Sequence, residues 1–88
     1  MTVKARIHRI TPNAYRLRAI AEVVLDGSFV IHEIRVVEGQ KGIFITMPSY
    51  KDRFGIYHEF CFPITAELHE AIESAVLEAY SAACAKLR

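Results

Sequence analysis

The sequence predicts an α+β domain, an antiparallel sheet of about five strands followed by one C-terminal amphipathic helix. Three observations predict this fold class. Apolar and polar residues alternate in three stretches between residues 3 and 37, which is the period of a β-strand. The pair Asp26-Gly27 interrupts this region with residues that tolerate the positive φ of a tight hairpin turn. After residue 65 the apolar residues recur at helical spacing, so the sheet and the helix are separate along the chain.

The strands follow one another with recognisable turns between them. The first is expected over residues 3–9, and the cluster Thr11-Pro12-Asn13 ends it as a turn. The next strands are expected over residues 15–25, 29–37, 43–47 and 56–62. Residues 38–42 are expected to turn the chain, Pro48 to end the fourth strand, and residues 49–55 to form a polar loop.

The helix has a start signal and an apolar stripe. Thr65 stands where an N-cap belongs, and Glu67 follows in the first turn. Lys86 and Arg88 suit the C-terminal end of the helix. The stripe consists of Leu68, Ile72, Val76, Ala79, Ala83 and Leu87. We therefore expect an amphipathic helix with an acidic outer face.

A two-residue turn at Asp26-Gly27 sets the register of the second hairpin. It pairs Leu25 with Ser28, and further along the ladder it pairs Ala21 with His32 on the face beneath the helix. The opposite face is then apolar near the turn, where it carries Ile20, Val24, Phe29 and Ile31. Because one helix covers only one face of the sheet, these four residues are the predicted dimer interface.

The far end of that second face is predicted to be basic. If the first hairpin keeps its apolar residues together, it sets His8 beside Arg16 and Arg6 beside Arg18. Arg35 joins them from the third strand. We therefore expect a basic cluster there, and Arg16 and Arg18 are candidate contacts for nucleic acid.

Composition limits the class of protein. A chain of 88 residues fits a single domain over residues 1–88, and its net charge of +1 excludes a protein that coats nucleic acid as histones do. Two cysteines are too few for a secreted disulfide scaffold. No apolar run reaches about 18 residues, and no charged start leads into one. We expect a cytoplasmic protein with no membrane contact, and the apolar fraction of 52% favours a homo-oligomer.

Several short motifs lack the context that chemistry needs. Three His-Glu pairs occur, but none has the second histidine of a zinc-peptidase helix. Gly39-Gln40-Lys41-Gly42 matches the string of a nucleic-acid-binding Gly-x-x-Gly loop, yet it joins two strands and is expected to be a hairpin turn. We therefore expect no catalytic site, no metal site and no cofactor.

The loop after Pro48 carries the strongest functional signal. Lys51 and Arg53 can neutralise phosphates, and Tyr50 or Phe54 could stack on a base. Ser49 begins this loop and is included in the predicted nucleic-acid site. The alternative is an ordinary solvated loop.

The middle of the chain resembles a known family. The residues that carry the resemblance are Leu17-Arg18-Ala19-Ile20-Ala21, Leu25-Asp26, Phe29-Val30-Ile31-His32-Glu33-Ile34-Arg35-Val36, Gly39, Gly42, Phe44, Met47-Pro48-Ser49, Gly55 and Pro63-Ile64. Together they resemble the SpoVG family, the bacterial stage V sporulation and septation regulators. The similarity runs from about residue 2 to residue 80.

The resemblance implies a cytoplasmic homodimer that regulates by binding DNA, and in some members RNA, and that is not an enzyme. Where the family pattern commonly has a basic residue after Met-Pro-Ser, this chain has Tyr50, and where a basic residue is usual at position 58 it has His58. The family's frequent histidine before Pro-Ile is Phe62 here. The competing hypothesis is a protein-interaction adaptor that uses the apolar sheet face or the acidic helix without binding nucleic acid.

Overall fold

Two antiparallel sheets and one helix make up the computed structural model, which describes residues 1–11 and 15–86. The elements are β1 (Val3–Ile10), β2 (Leu17–Leu25), β3 (Phe29–Gly39), β4 (Gly42–Thr46), β5 (Ser49–Lys51), β6 (Tyr57–Glu59) and α1 (Ala66–Lys86). The first four strands form one sheet in the order β1-β2-β3-β4, and β5 and β6 form a second. The predicted α+β class is confirmed. Pro12 and Asn13 of the predicted turn, and Leu87 and Arg88 of the predicted helix, lie outside the described residues.

The helix packs on one face of the larger sheet, chiefly against β1. The hydroxyl of Thr65 accepts a hydrogen bond from the backbone N–H of Leu68 at 3.2 Å, which confirms the predicted N-cap. Ile72 and Val76 are completely buried on the inner side of α1. The rest of the core comes from the strands, namely Ala19, Ala21, Val23, Ile34, Val36, Ile45 and Met47. No helix among the described residues is long and apolar enough to cross a membrane.

The Asp26-Gly27 turn has the predicted conformation but a different register. Both residues have positive φ, 51° and 64°, and the N–H of Ser28 donates to the carbonyl of Leu25 at 3.0 Å. The ladder, however, begins with Leu25 opposite Phe29. The predicted pairing of Leu25 with Ser28 is therefore wrong by one residue, because Ser28 belongs to the turn.

A β-bulge in β3 shifts the register a second time. Val23 lies opposite Ile31, whereas Ala21 lies opposite Ile34, so β3 has one residue more than β2 between these pairs. Glu33 takes up this residue with a φ of 63°. The predicted pairing of Ala21 with His32 is wrong, and so is the buried position predicted for His32, whose side chain is 69% exposed.

The pairing of β1 with β2 also differs from the prediction. Arg6 lies opposite Glu22 rather than beside Arg18, and Arg9 lies opposite Ile20 after a register shift at His8. Opposite charges facing each other across a ladder are favourable, while two facing arginines are not. The connection between β1 and β2 is correspondingly longer than the alternation predicts.

The region after β4 forms a hairpin of its own. Residues 49–51, predicted as part of a loop, form β5 and pair with β6. The predicted fifth strand over residues 56–62 shortens to Tyr57–Glu59. Because β5 and β6 pair only with each other, they form a separate small sheet instead of extending the larger one.

Glycine at position 33 should tolerate the bulge better than glutamate does. Because a left-handed φ strains an L-residue and Glu33 is exposed, Glu33→Gly is expected to raise the free energy of unfolding by up to about 1 kcal/mol. Arg35→Gly, also exposed and on the same strand but without positive φ, is the matched control and is expected to lower it by about 1 kcal/mol. Urea denaturation measures both. An equal decrease in the free energy of unfolding of the two variants would contradict the bulge at Glu33.

Candidate functional site

The β5–β6 hairpin has two chemically different faces. The paired residues are Ser49 with Glu59, Tyr50 with His58, and Lys51 with Tyr57. Because paired residues point to the same side and successive residues alternate, Tyr50 and His58 share one face. The other pairs share the opposite face, which carries the charges of Lys51 and Glu59.

Asp52 shapes the turn of this hairpin. Its Oδ1 accepts hydrogen bonds from the backbone N–H groups of Phe54 at 2.8 Å and Ile56 at 2.9 Å. Its Oδ2 lies 2.7 Å from Nε2 of His58. A carboxylate only accepts hydrogen bonds, so Nε2 of His58 must carry the proton. Gly55 completes the turn with a φ of 83°, which glycine adopts without strain.

These hydrogen bonds stabilise the charged form of Asp52. The hydrogen bond from His58, followed by that from the N–H of Ile56, lowers the pKa of Asp52 below its ordinary value of 3.8. A lowered pKa means that ionised Asp52 stabilises the fold above pH 3.8, and that this contribution disappears as the pH falls through the folded-state pKa. At neutral pH Asp52 is therefore ionised, and its carboxylate points toward the amides of the turn.

Two cations flank the turn and remain exposed. Nζ of Lys51 lies 5.8 Å from the ring centre of Tyr57, and the guanidinium carbon of Arg53 lies 5.1 Å from the ring centre of Phe54. Such contacts orient a flexible side chain while its charge stays in water. Lys51 and Arg53 are thus presented outward, as the sequence predicts for phosphate contact.

An aromatic row lies on the opposite face of the hairpin and consists of His58, Tyr50 and Phe60. The rings of Tyr50 and His58 are stacked, with centroids 5.2 Å apart and planes inclined by 26°. The rings of Tyr50 and Phe60 lie 5.0 Å apart at 42°. Tyr50 was predicted from the sequence, whereas His58, Phe60 and the role of Asp52 were not. The spacing of His58 and Phe60, two residues apart in an extended segment, is the signal that could have placed them on one face.

The charged face of the hairpin adjoins the larger sheet. A cavity of about 360 Å³ lies between them. Its lining residues are Arg35, Val37, Thr46, Met47, Ser49, Tyr57 and Glu59. Ser49, predicted as part of the nucleic-acid site, therefore lies in the same groove as Arg35, whose side of β3 faces away from the helix.

Arg18 is engaged in an ion pair away from the hairpin. Its Nε lies 3.2 Å from Oε1 of Glu38. Hydrogen bonding and opposite charge raise the pKa of Arg18 and lower the pKa of Glu38. Glu38 lies two residues after the buried Val36 on β3, so this ion pair is on the helix side of the sheet.

Arg16, which precedes β2 in the chain, lies beside the β3–β4 turn. Its carbonyl accepts a hydrogen bond from the N–H of Glu38 at 2.8 Å, and its guanidinium lies 5.5 Å from the ring centre of Tyr15. A cavity of about 480 Å³ is lined by Arg16 and by residues 39–44. In the described part of the chain, no hydrogen bond or ring contact joins Arg16 or Arg18 to Lys51 or Arg53.

The basic cluster predicted for the far end of the sheet does not form. Arg6 instead binds Glu22, with Nη2 2.8 Å from Oε1, and Nδ1 of His32 lies 3.0 Å from Oε2 of the same carboxylate. Glu22 is 8% exposed, so it needs these partners to offset its loss of hydration. Together with the pairing of Arg18 to Glu38, this disperses the predicted cluster.

The predicted dimer residues occupy different environments. Ile20 is 3% exposed and lies between Arg9 and Arg35 in the register, whose long side chains can cover it. Ile31 packs against the core beneath the helix, so its predicted place on the opposite face is wrong. Val24 is half-buried, and Phe29 is 64% exposed. The structure does not bring these four residues together as one exposed patch.

Residues that could ligate a metal do not gather in the described parts of the chain. Over residues 1–11 and 15–86, no group of three or more His, Cys, Asp or Glu side chains is placed to hold an ion. Cys61 and Cys84 are half-buried free thiols. The donor set of a metal centre is therefore absent from this region.

A sheet covered by a helix on one face, with a separate hairpin that exposes cations and rings, defines a small α+β protein. The chain belongs to the SpoVG family, whose family model matches residues 1–82. Its relatives carry the name "Putative septation protein SpoVG", which refers to septation and to no catalysed reaction.

Two relatives illustrate the extent of the similarity. The relative from Caldicellulosiruptor saccharolyticus is 43% identical over 77 residues, which cover 88% of this chain and 86% of that protein. The relative from Heliobacterium modesticaldum is 46% identical over 70 residues, covering 80% and 79%.

The titration of Asp52 should be visible at the amides it binds. In NMR spectra recorded against pH, the N–H signals of Phe54 and Ile56 are expected to shift with a midpoint below 3.8, because His58 and these amides stabilise the carboxylate. His58→Ala should raise this midpoint, since it removes the largest cause. His69→Ala, on the exposed side of α1, is the control and should leave it unchanged. A midpoint that His58→Ala does not move would contradict the contact.

Proposed function

We propose that this chain is a cytoplasmic regulatory protein of the septation and sporulation type that binds nucleic acid through Lys51 and Arg53. The observation that supports this most is the hairpin turn, which presents two exposed cations beside exposed aromatic rings. Membership in a family whose members are named for septation supports the septation part of the proposal.

The charge distribution of the turn favours an anionic ligand. Asp52, which separates the two cations in sequence, directs its carboxylate to two backbone amides and to His58. Its charge is therefore compensated from within the turn. Lys51 and Arg53 remain exposed and form no ion pair among the described residues, so they can contact phosphates without breaking one.

We also propose that the chain forms a homodimer, through a surface other than the one predicted from the sequence. Phe62 is 60% exposed, Ile64 is 88% exposed and Met1 is 77% exposed. Ile64 and Met1 line one cavity at the start of α1, together with Leu68. Burying this apolar surface against a second copy would remove it from water.

The adaptor hypothesis remains the second candidate, and the same apolar surface favours it. A protein partner that covers Phe62 and Ile64 would use the chain without involving Lys51 or Arg53. The two hypotheses differ in their salt dependence, because phosphate contacts weaken steeply as salt rises and apolar contacts do not.

Removing the two hairpin cations should flatten the salt dependence of binding. Two phosphate contacts from each chain give a dimer about four, so the slope of log affinity against log salt on duplex DNA should be at least about −3. Lys51→Ala combined with Arg53→Ala should bring the slope close to zero and weaken binding to all sequences alike, because phosphate contacts carry no base information. Fluorescence anisotropy over a salt series measures both effects.

A control removes the same charge elsewhere. Lys41→Ala with Lys86→Ala deletes two exposed cations from the β3–β4 turn and from α1, and it should keep the wild-type slope. If the hairpin variant binds with the wild-type affinity and slope, Arg16 and Arg35 become the next candidates. If wild type does not bind at low salt, the adaptor hypothesis replaces the proposal.

The dimer should depend on the surface at the start of α1. Light scattering of wild type is expected to give about 20 kDa, twice the 10.0 kDa of one chain. Phe62→Ser with Ile64→Ser should give the mass of a monomer, whereas Phe29→Ser, at the interface predicted from the sequence, should not. A wild-type mass near 10 kDa over a wide concentration range would refute the dimer.

A further inference from the structure

The aromatic row of His58, Tyr50 and Phe60 is exposed although its rings already contact one another. Tyr50 is 47% exposed, Phe60 is 69% exposed, and the side chain of His58 is 45% exposed. Tyr50 lies at the centre, stacked on His58 and in contact with Phe60. Exposed rings held in a fixed arrangement are suited to binding a flat partner, because little conformational freedom is lost on contact.

We propose that this aromatic row stacks on the unpaired bases of single-stranded nucleic acid while Arg53, in the turn of the hairpin, contacts its phosphates. The inference rests on the proposed nucleic-acid function and specifies the form of nucleic acid that the hairpin selects. Every base has a flat face, so stacking of this kind tolerates any sequence.

Single strands are favoured over duplex by the geometry of the bases. In a duplex each base face is covered by its neighbours, so a protein ring can stack only on a base that has left the helix. A single strand exposes its base faces at lower cost. The row therefore adds affinity for unpaired nucleic acid beyond what the two cations give to any phosphate backbone.

The charges near the row favour a nucleic-acid strand over a second copy of the chain. Within β5 and β6 the aromatic face carries no carboxylate, because Glu59 lies on the opposite face. Asp52 is directed into the turn. Arg53 lies in the turn itself, where a strand crossing the hairpin tip can reach it from the aromatic face. An anionic occupant therefore finds the cation of Arg53 at the edge of the row without facing an uncompensated carboxylate.

The test compares one sequence as single-stranded DNA, as single-stranded RNA and as duplex DNA. Fluorescence anisotropy with labelled 12-nucleotide probes gives the affinity for each. Tyr50→Ala is expected to weaken binding to the single strands by about 5- to 160-fold, the range of one lost base stack. Its effect on duplex affinity should be much smaller, so the ratio of single-strand to duplex affinity should fall. Tyr50→Phe keeps the ring and should keep this ratio.

Two further variants test whether a loss of affinity comes from the aromatic row itself. Phe60→Ala, whose side chain is the most exposed of the row, should lower the same ratio even if Tyr50→Ala disturbs the hairpin. Tyr15→Ala, which removes a ring that is 87% exposed and lies outside the row, should leave all three affinities unchanged. If the ring variants lose affinity for both single-stranded probes, the proposal holds for unpaired nucleic acid in general. If they lose affinity for only one probe, it holds for that type of strand.

Other outcomes overturn the inference and separate it from the proposed function. If Tyr50→Ala and Phe60→Ala leave the affinity ratio unchanged while Lys51→Ala with Arg53→Ala abolishes binding, the proposed function stands and the stacking role is wrong. If the ring variants only convert a dimer to a monomer in light scattering, the row is a contact between copies. If wild type binds none of the probes at low salt, both proposals fail.

Discussion

One helix covers one face of the larger sheet, and this constraint governs the rest of the molecule. Ile72 and Val76 of α1 are buried against that face, where the apolar side chains of β2, β3 and β4 meet them. Residues 1–11 and 15–86 contain no second helix that covers the other face. That face must therefore be compatible with water, and its residues are arranged accordingly.

The ion pairs around Glu22 show how the uncovered face meets this requirement. Glu22 lies on β2 and is nearly buried. Its carboxylate forms ion pairs with Arg6 of β1 and His32 of β3. The bulge at Glu33 makes this possible. By adding a residue to β3, it allows Ile31 to face the helix while His32 reaches Glu22. One local irregularity thus supports both the core and the exposed face.

The small second sheet has to be stable without a core of its own. Its contacts are the hydrogen bonds of Asp52 to the turn, the pair of Asp52 with His58, and the stacking of Tyr50 on His58. These contacts also determine what the hairpin presents to its surroundings. They direct the carboxylate inward, leave the cations outside and hold the rings in a row. The stability of the hairpin and its proposed binding surface therefore depend on the same side chains.

Local signals along the chain were sufficient for the class of fold and for most of its elements. Alternation predicted β1 to β3, and Pro48 marked the end of β4. The Asp26-Gly27 pair predicted the positive φ of its turn, and Thr65 predicted the start of α1, because each of these depends on residues close in sequence. Lys51 and Arg53 could likewise be recognised as exposed cations next to Pro48. Only the tertiary structure decided the register, since the bulge at Glu33 and the pairing of Arg6 with Glu22 depend on which strands meet. For the same reason it decided that Arg18 is bound to Glu38, that Ile20 is buried, and that His58 and Phe60 join Tyr50 on one face of a separate hairpin.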